Sequence, residues 1–281
     1  MNYLNQIKRI KLKLIQAKTT DKNFKVFGSN SHKYILNSPT SKDKVKSFEE
    51  KYSIQLPECY KSFILYIGNG GVSFSNSGAG PFFGIYSFGD NIDNLIYKNT
   101  EKYLGEKCIL KPNLTDKEWL KITRQLDDDT TSSEDFDIEL GRIYGGILPI
   151  GSQGCSYIHA LALNEDYKGR VMNIDMNFNK PSFTFDSNFL DWYERWLDEI
   201  ISEKLMDKNY NWFGYTMGGK ETELIELFQS TNNKQTKKDA LIEILRKKEI
   251  SSETLKFVEN EYNSANESLK IELQQIIAKF T

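Results

Sequence analysis

Apolar residues fall at helical spacing near both ends of the chain and at strand-like spacing only in the middle. Leu4, Ile7, Leu14 and Ile15 recur among lysines, which predicts a basic amphipathic helix from Met1 to about Lys18. Packing on the main domain is one use for such a helix. A membrane-surface role is the other, weakened by the absence of Trp or Phe anchors. Val45, Phe48 and Tyr52 mark a short helix, and Leu56-Pro57-Glu58 opens another in which Tyr60, Phe63, Ile64 and Ile67 share one stripe. Gly68-Asn69-Gly70-Gly71 ends it, because Gly and Asn accept the left-handed backbone of a helix terminus.

Strand signals follow in the region of Phe82, Phe83, Ile85, Tyr86 and Phe88, then in Ile147–Gly151, Tyr157–Leu163, Arg170–Asp175 and Ser182–Phe185. Pro149 lacks an amide donor and therefore predicts an edge or strand-end position. The stretch from Asn164 to Gly169 turns the chain between two strands. Phe189, Trp192, Tyr193, Trp196 and Ile200 line one helix face, with Asp191, Glu194, Arg195 and Asp198 largely opposite. Beyond about Asn209 only helical patterns remain, at Leu224–Phe228, Ala240–Leu245, around Leu255 and Val258, and from Leu269 to Phe280.

The expected class is α+β: a central, mainly antiparallel sheet flanked by helices, plus a C-terminal all-α helical appendage. The expected boundaries are 1–31 for the N-terminal helix and linker, 32–205 for the α+β domain and 206–281 for a HEAT-like helical subdomain without a clean repeat period.

Composition changes this picture little. With 281 residues and a net charge of −2, nothing favours nucleic acid or an anionic membrane as partner. No apolar run approaches the roughly 20 residues of a membrane span. Lys8, Arg9, Lys11 and Lys13 break up any signal-peptide core, so a cytoplasmic protein is expected. Cys59, Cys108 and Cys155 are odd in number and widely spaced, which predicts reduced thiols.

Candidate chemistry is sparse. His32 and His159 are the two histidines. His159 and Cys155 stand four residues apart, about 13 Å along a strand, too far for a dyad without a turn. Gly151-Ser152-Gln153-Gly154-Cys155 is not a nucleophile elbow, since Ser152 directly follows Gly151. The glycines at 68–71 and 78–84 lack the Lys-Ser/Thr of a phosphate loop. There is no C-x-x-C, H-E-x-x-H or calcium loop. No catalytic residue, cofactor or metal ligand is assigned, and no enzyme is expected.

The most distinctive feature is acidic: Asp127, Asp128 and Asp129, then Glu134, Asp135, Phe136, Asp137, Ile138 and Glu139. This stretch predicts a solvated loop. One reading is a passive insert. The other is an electrostatic lure for a basic partner, with Phe136 and Ile138 as apolar anchors.

Four strings in order carry a family resemblance. They are Phe48-Glu49-Glu50-Lys51-Tyr52-Ser53-Ile54-Gln55-Leu56-Pro57-Glu58-Cys59-Tyr60-Lys61-Ser62-Phe63; Gly68-Asn69-Gly70-Gly71 with Gly78-Ala79-Gly80-Pro81-Phe82-Phe83-Gly84; Gly146-Ile147-Leu148-Pro149-Ile150-Gly151 with Gly154-Cys155-Ser156-Tyr157 and Gly169-Arg170-Val171; and Phe189-Leu190-Asp191-Trp192-Tyr193-Glu194-Arg195-Trp196-Leu197. Over roughly residues 32–205 the chain resembles the SMI1/KNR4 (SUKH) family. The resemblance implies an antiparallel sheet with surrounding helices and no catalytic residue. It also implies a protein partner: a toxin, often a nuclease or deaminase, for bacterial immunity-type members, or a regulatory partner as in fungal relatives. Val72–Ser77 separates two glycine strings that are contiguous in many relatives, and the tail beyond Asn209 lies outside the resemblance.

Overall fold

The computed structural model describes residues 3–90, 92, 97–112, 114–126, 128–206, 218–264 and 267–281. It divides into two compact units: Met1–Leu114 with Glu118–Tyr215, and Thr115–Lys117 with Thr216–Thr281. The first unit carries the sheet. In it β1 (Ile147–Gly154), β2 (Tyr157–Ala162), β3 (Val171–Asp175) and β4 (Ser182–Phe183) pair antiparallel in the order β1-β2-β3-β4. Pro149 lies in β1, an edge strand, as its missing amide requires.

Phe82–Phe88 does not form a strand. It meets the outer edge of β1 through backbone bonds from Tyr86 to Ile150 (2.9 Å), from Phe83 to Ser152 (3.2 Å) and from Ser152 to Gly84 (3.3 Å), and through an isolated bridge between Ile85 and Gly151. Positive φ at Phe82 (55°) and Gly84 (96°) breaks the extended run that its aromatic content suggested. Only glycine fits at 84, where a Cβ would stand 1.9 Å from the Gly78 carbonyl oxygen.

Strand alternation sends side chains to opposite faces of the sheet. Leu148, Ile150, Leu161, Leu163 and Val171 join one core cluster; Ile147, Ile158, Ala160, Ala162, Met172 and Ile174 join another. Over the first face lie α1 (Leu4–Thr20), α2 (Ser29–His32), α3 (Lys42–Tyr52), α4 (Glu58–Tyr66) and, late in the chain, the helix Phe189–Ile201. Over the second face lie α5 (Thr100–Tyr103), α6 (Asp116–Ile122) and α7 (Ser133–Tyr144). With these named, Phe189–Ile201 is α8.

α8 forms where the sequence predicts it. Asn188 caps it by accepting from the amides of Leu190 (2.9 Å) and Asp191 (3.2 Å), and its aromatic stripe is fully buried. Its acidic side is partly covered, because α1 packs there and buries Glu194. Glu194 accepts from Arg9 (2.8 Å), Lys13 (2.9 Å) and Gln6 (3.0 Å), and Asp198 pairs with Lys13 (2.7 Å). This pairing turns α1 so that Ile7, Ile10 and Ala17 are buried, whereas Leu4 and Ile15 of the predicted stripe face outward.

In the second unit, α9 (Glu221–Ser230), α10 (Lys234–Leu245), α11 (Ser252–Ser264) and α12 (Glu267–Phe280) pack around Leu224, Phe228, Leu241, Ile244, Val258, Leu273 and Ile276. α10 packs on both α9 and α12, and α11 on α12. Glu221 at the start of α9 accepts from the Ser251 amide (2.8 Å), the Ser251 hydroxyl (2.7 Å) and the Thr254 hydroxyl (2.5 Å), which ties α9 to α11.

Candidate protein-binding surface

The acidic stretch is not the loop its composition suggested. From Ser133 onward it is α7. Ser132 accepts from the Asp135 amide (3.1 Å) and donates to the Asp135 carboxylate (2.7 Å), so the helix starts with a capped end. Glu134 and Asp135 complement the positive end of the helix. Glu139, Leu140, Ile143 and Tyr144 follow on the inner side, against the second face of the sheet. The charges at 134–139 masked that stripe, although Ser132 three residues before Asp135 was a readable capping signal.

The predicted residues therefore separate. Asp127 lies outside the described residues. Asp128 sits in the turn ahead of α7 and accepts from the Thr130 hydroxyl (2.6 Å) and amide (2.9 Å). Those bonds, the hydroxyl first, hold its carboxyl below the usual range. Asp128, Asp129, Glu134 and Asp135 are all exposed, and none forms an ion pair with a described residue. Asp137 is turned aside to Lys98 (2.6 Å). Phe136 is half-buried, edge-on to Phe178 at 5.8 Å, and so is a packing residue. The exposed apolar neighbour is Ile138, at 45%.

Beside α6 and α7 the second layer encloses an open groove of about 690 Å³, with Cys108 and Leu110 among its lining. Part of its charged rim is paired, Lys107 with Glu165 (3.0 Å) and Lys111 with Glu118 (3.1 Å), while Arg142 turns to Glu139. Burial pushes the Cys108 thiol up to about 11, so it is not a poised nucleophile.

His159 and Cys155 do not form a dyad. Cys155 is exposed, just past the end of β1, with φ 49°. The His159 ring is fully buried between Trp192 (5.0 Å) and Phe82 (6.1 Å), with Nδ1 3.3 Å from the Asn173 side-chain oxygen. Burial pulls it down to about 3, so it is neutral near pH 7. Ser152 is a buried β1 residue whose hydroxyl accepts from the Gly154 amide (3.1 Å). Among the described residues, no group of three or more His, Cys, Asp or Glu is arranged to hold a metal ion.

A family model, SMI1 / KNR4 family (SUKH-1), matches residues 39–195. The chain belongs to this family. No curated protein and no solved structure matches. The SUKH-1 span runs from just before α3 into α8, so it takes in both sheet faces and the start of α7; α1 and α9–α12 lie outside it. The insert in the SUKH-1 glycine strings bulges outward and closes on itself through Gly71 to Asn76 (2.8 Å) and Ser73 to Ser77 (2.8 Å). Gly71 and Gly78 are thereby neighbours in space: a Cβ on Gly71 would stand 2.5 Å from the Gly78 Cα. Among the described residues, no helix is long and apolar enough to cross a membrane.

Proposed function

We propose that this protein is a non-enzymatic, cytoplasmic immunity module that binds and neutralises a toxin domain. Membership of the SUKH-1 family over residues 39–195 carries the reading. The acidic start of α7 supplies the docking chemistry. Glu134 and Asp135 stand in the first turn of a capped helix, Asp128 and Asp129 in the turn just ahead of it, and Ile138 lies one turn on. Preorganised negative charge attracts a basic cleft, such as that of a nuclease or deaminase, and speeds association. Asp127 adds to the same charge by sequence. Phe136 and Asp137 act from behind, the first by packing on Phe178 and the second through Lys98.

The partner is found by isolating the tagged protein from its native cells and by co-expressing it with the products of adjacent genes. Rescue of a toxic neighbour by stoichiometric binding is the expected result; a neighbourhood and a partner unrelated to toxicity would overturn it. A second reading, a regulatory adaptor, draws support from the helical second unit, which lies outside the SUKH-1 span. Removing residues 218–281 discriminates the two. An immunity protein keeps its toxin binding, whereas an adaptor loses one of two partners.

A further inference from the structure

We propose that the outer side of α1 is a docking surface for an anionic lipid bilayer. α1 carries Lys8, Arg9, Lys11, Lys13 and Lys18 and not one acidic residue. The structure sorts these cations into two sets. Arg9 and Lys13 are taken up by Glu194 and Asp198 of α8. Lys8, Lys11 and Lys18 are exposed and make no ion pair with a described residue. Leu12 is 63% exposed and Ile15 66% exposed beside them, with Leu4 further along at 55%.

At about 100° per residue, Lys18, Lys11, Leu4, Ile15, Lys8 and Leu12 fall in one arc of about 120°. From Leu4 to Lys18 this ridge is about 21 Å long. Its aliphatic side chains are interleaved with unneutralised lysines, the arrangement that lets apolar groups enter a headgroup layer while ammonium groups stay at its surface. A second copy of the same ridge would bring cation against cation, so self-association through this face is disfavoured by charge. The ridge runs along the exposed side of α1. A soft anionic surface fits it without a preformed counterpart. This surface is separate from the acidic start of α7, and its fate does not depend on whether the partner is a toxin.

The test is co-flotation of the full-length protein with vesicles of mixed phosphatidylglycerol and phosphatidylcholine, compared with vesicles of phosphatidylcholine alone. Three surface lysines predict about a hundredfold preference for the anionic vesicles at low salt, falling as salt is raised. Replacing Lys8→Glu with Lys11→Glu should abolish that preference. Replacing Leu12→Asn with Ile15→Asn should weaken binding about tenfold and reduce its salt-resistant part. All four positions face solvent, so the melting temperature serves as a control and should not move. Binding to neither kind of vesicle, equal binding to both, or unchanged binding by the two double variants would each overturn the proposal. So would a dimer that the same variants dissociate, since a second copy would then cover the face.

Discussion

On one face of the sheet, α4 and α8 meet through Phe189, Phe63, Tyr193 and Trp196, a run of edge-on and tilted rings with successive centroids 5.1, 4.7 and 5.3 Å apart. On the other face, the stretch from Tyr97 to Tyr144 reaches the sheet through Tyr103, Leu110, Trp119, Ile143 and Tyr144, carried by the short α5 and α6 and the 12-residue α7. The first face is assembled from elements far apart in sequence that each declare themselves by periodicity. The second is one contiguous excursion that turns charged side chains outward and contributes a few large anchors inward. The family strings supply most of the first face, whereas the exposed acidic residues ahead of and within α7 are displayed beside the second.

Truncating one anchor on each face tests whether the two layers unfold together. Trp196→Ala removes a ring stacked on Tyr34 and tilted against Tyr193 and should cost about 3–5 kcal/mol in urea unfolding. If Trp119→Ala costs as much and melts both faces together, the two layers are one cooperative unit. A separate, earlier loss of second-face signals would show them to be distinct.

Acid tests the same division, because both histidines belong to the first face. Burial pulls His32 down to about 4 and His159 to about 3 from an ordinary 6.5, so the folded state resists protons that the unfolded chain accepts. Their contribution is therefore complete above pH 6.5 and is lost as pH falls towards 4 and then 3. His32 alone predicts a loss of about 3 kcal/mol across its window. Glu194 adds a lower window. Its burial would raise its carboxyl, but bonds from Arg9, Lys13 and Gln6 outweigh that and bring it to about 2, so its contribution fades between pH 4.5 and 2. Indole NMR signals of Trp196 and Trp119 followed down this range should report loosening at Trp196 first. Simultaneous loss would erase the distinction.

Gly141→Ala sharpens the second face. A Cβ there would stand 2.4 Å from the Tyr103 ring, inside a packed layer, and should cost about 1–3 kcal/mol by thermal unfolding. Ser132→Ala removes the cap of α7 and should cost about 1 kcal/mol, with fraying at 133–136 in hydrogen exchange. The smallest effect on stability belongs to the surface charges. Changing Asp128 and Asp129 to Asn together with Glu134→Gln and Asp135→Asn should cost less than about 1 kcal/mol, mostly through the two first-turn carboxylates of α7. The same variant should slow partner association by about tenfold or more at low salt while leaving dissociation nearly unchanged. Equal association rates for wild type and variant would take the docking role away from α7.

Most of the first face was legible in the residues. Tyr60, Phe63 and Ile64 in α4, and Phe189, Trp192 and Trp196 in α8, repeat at a period that commits them to one side of a helix before any partner is known. The β2–β3 pair was legible too, because each strand is short, apolar and bounded by a turn. The second face was not. Tyr97, Cys108, Leu110 and Trp119 are spaced irregularly, and their burial depends on a sheet face that exists only after β1, β2 and β3 have paired.

Local sequence determined which segments become helix or strand wherever a strong period met clear caps and breakers. It also set the placement of Pro149 at a sheet edge, through a missing donor. Tertiary structure decided the rest. Asp127 to Glu139 looked like solvated chain because its charges outnumber its apolar residues, yet the second sheet face buries Leu140, Ile143 and Tyr144 and holds the preceding turn as a helix start. The helical period of α1 allowed several faces, and pairing of Arg9 and Lys13 with α8 selected one, leaving Leu12 and Ile15 outside. A periodic pattern fixes which residues share a side. Which side is buried depends on the charges and surfaces that the rest of the chain brings to it.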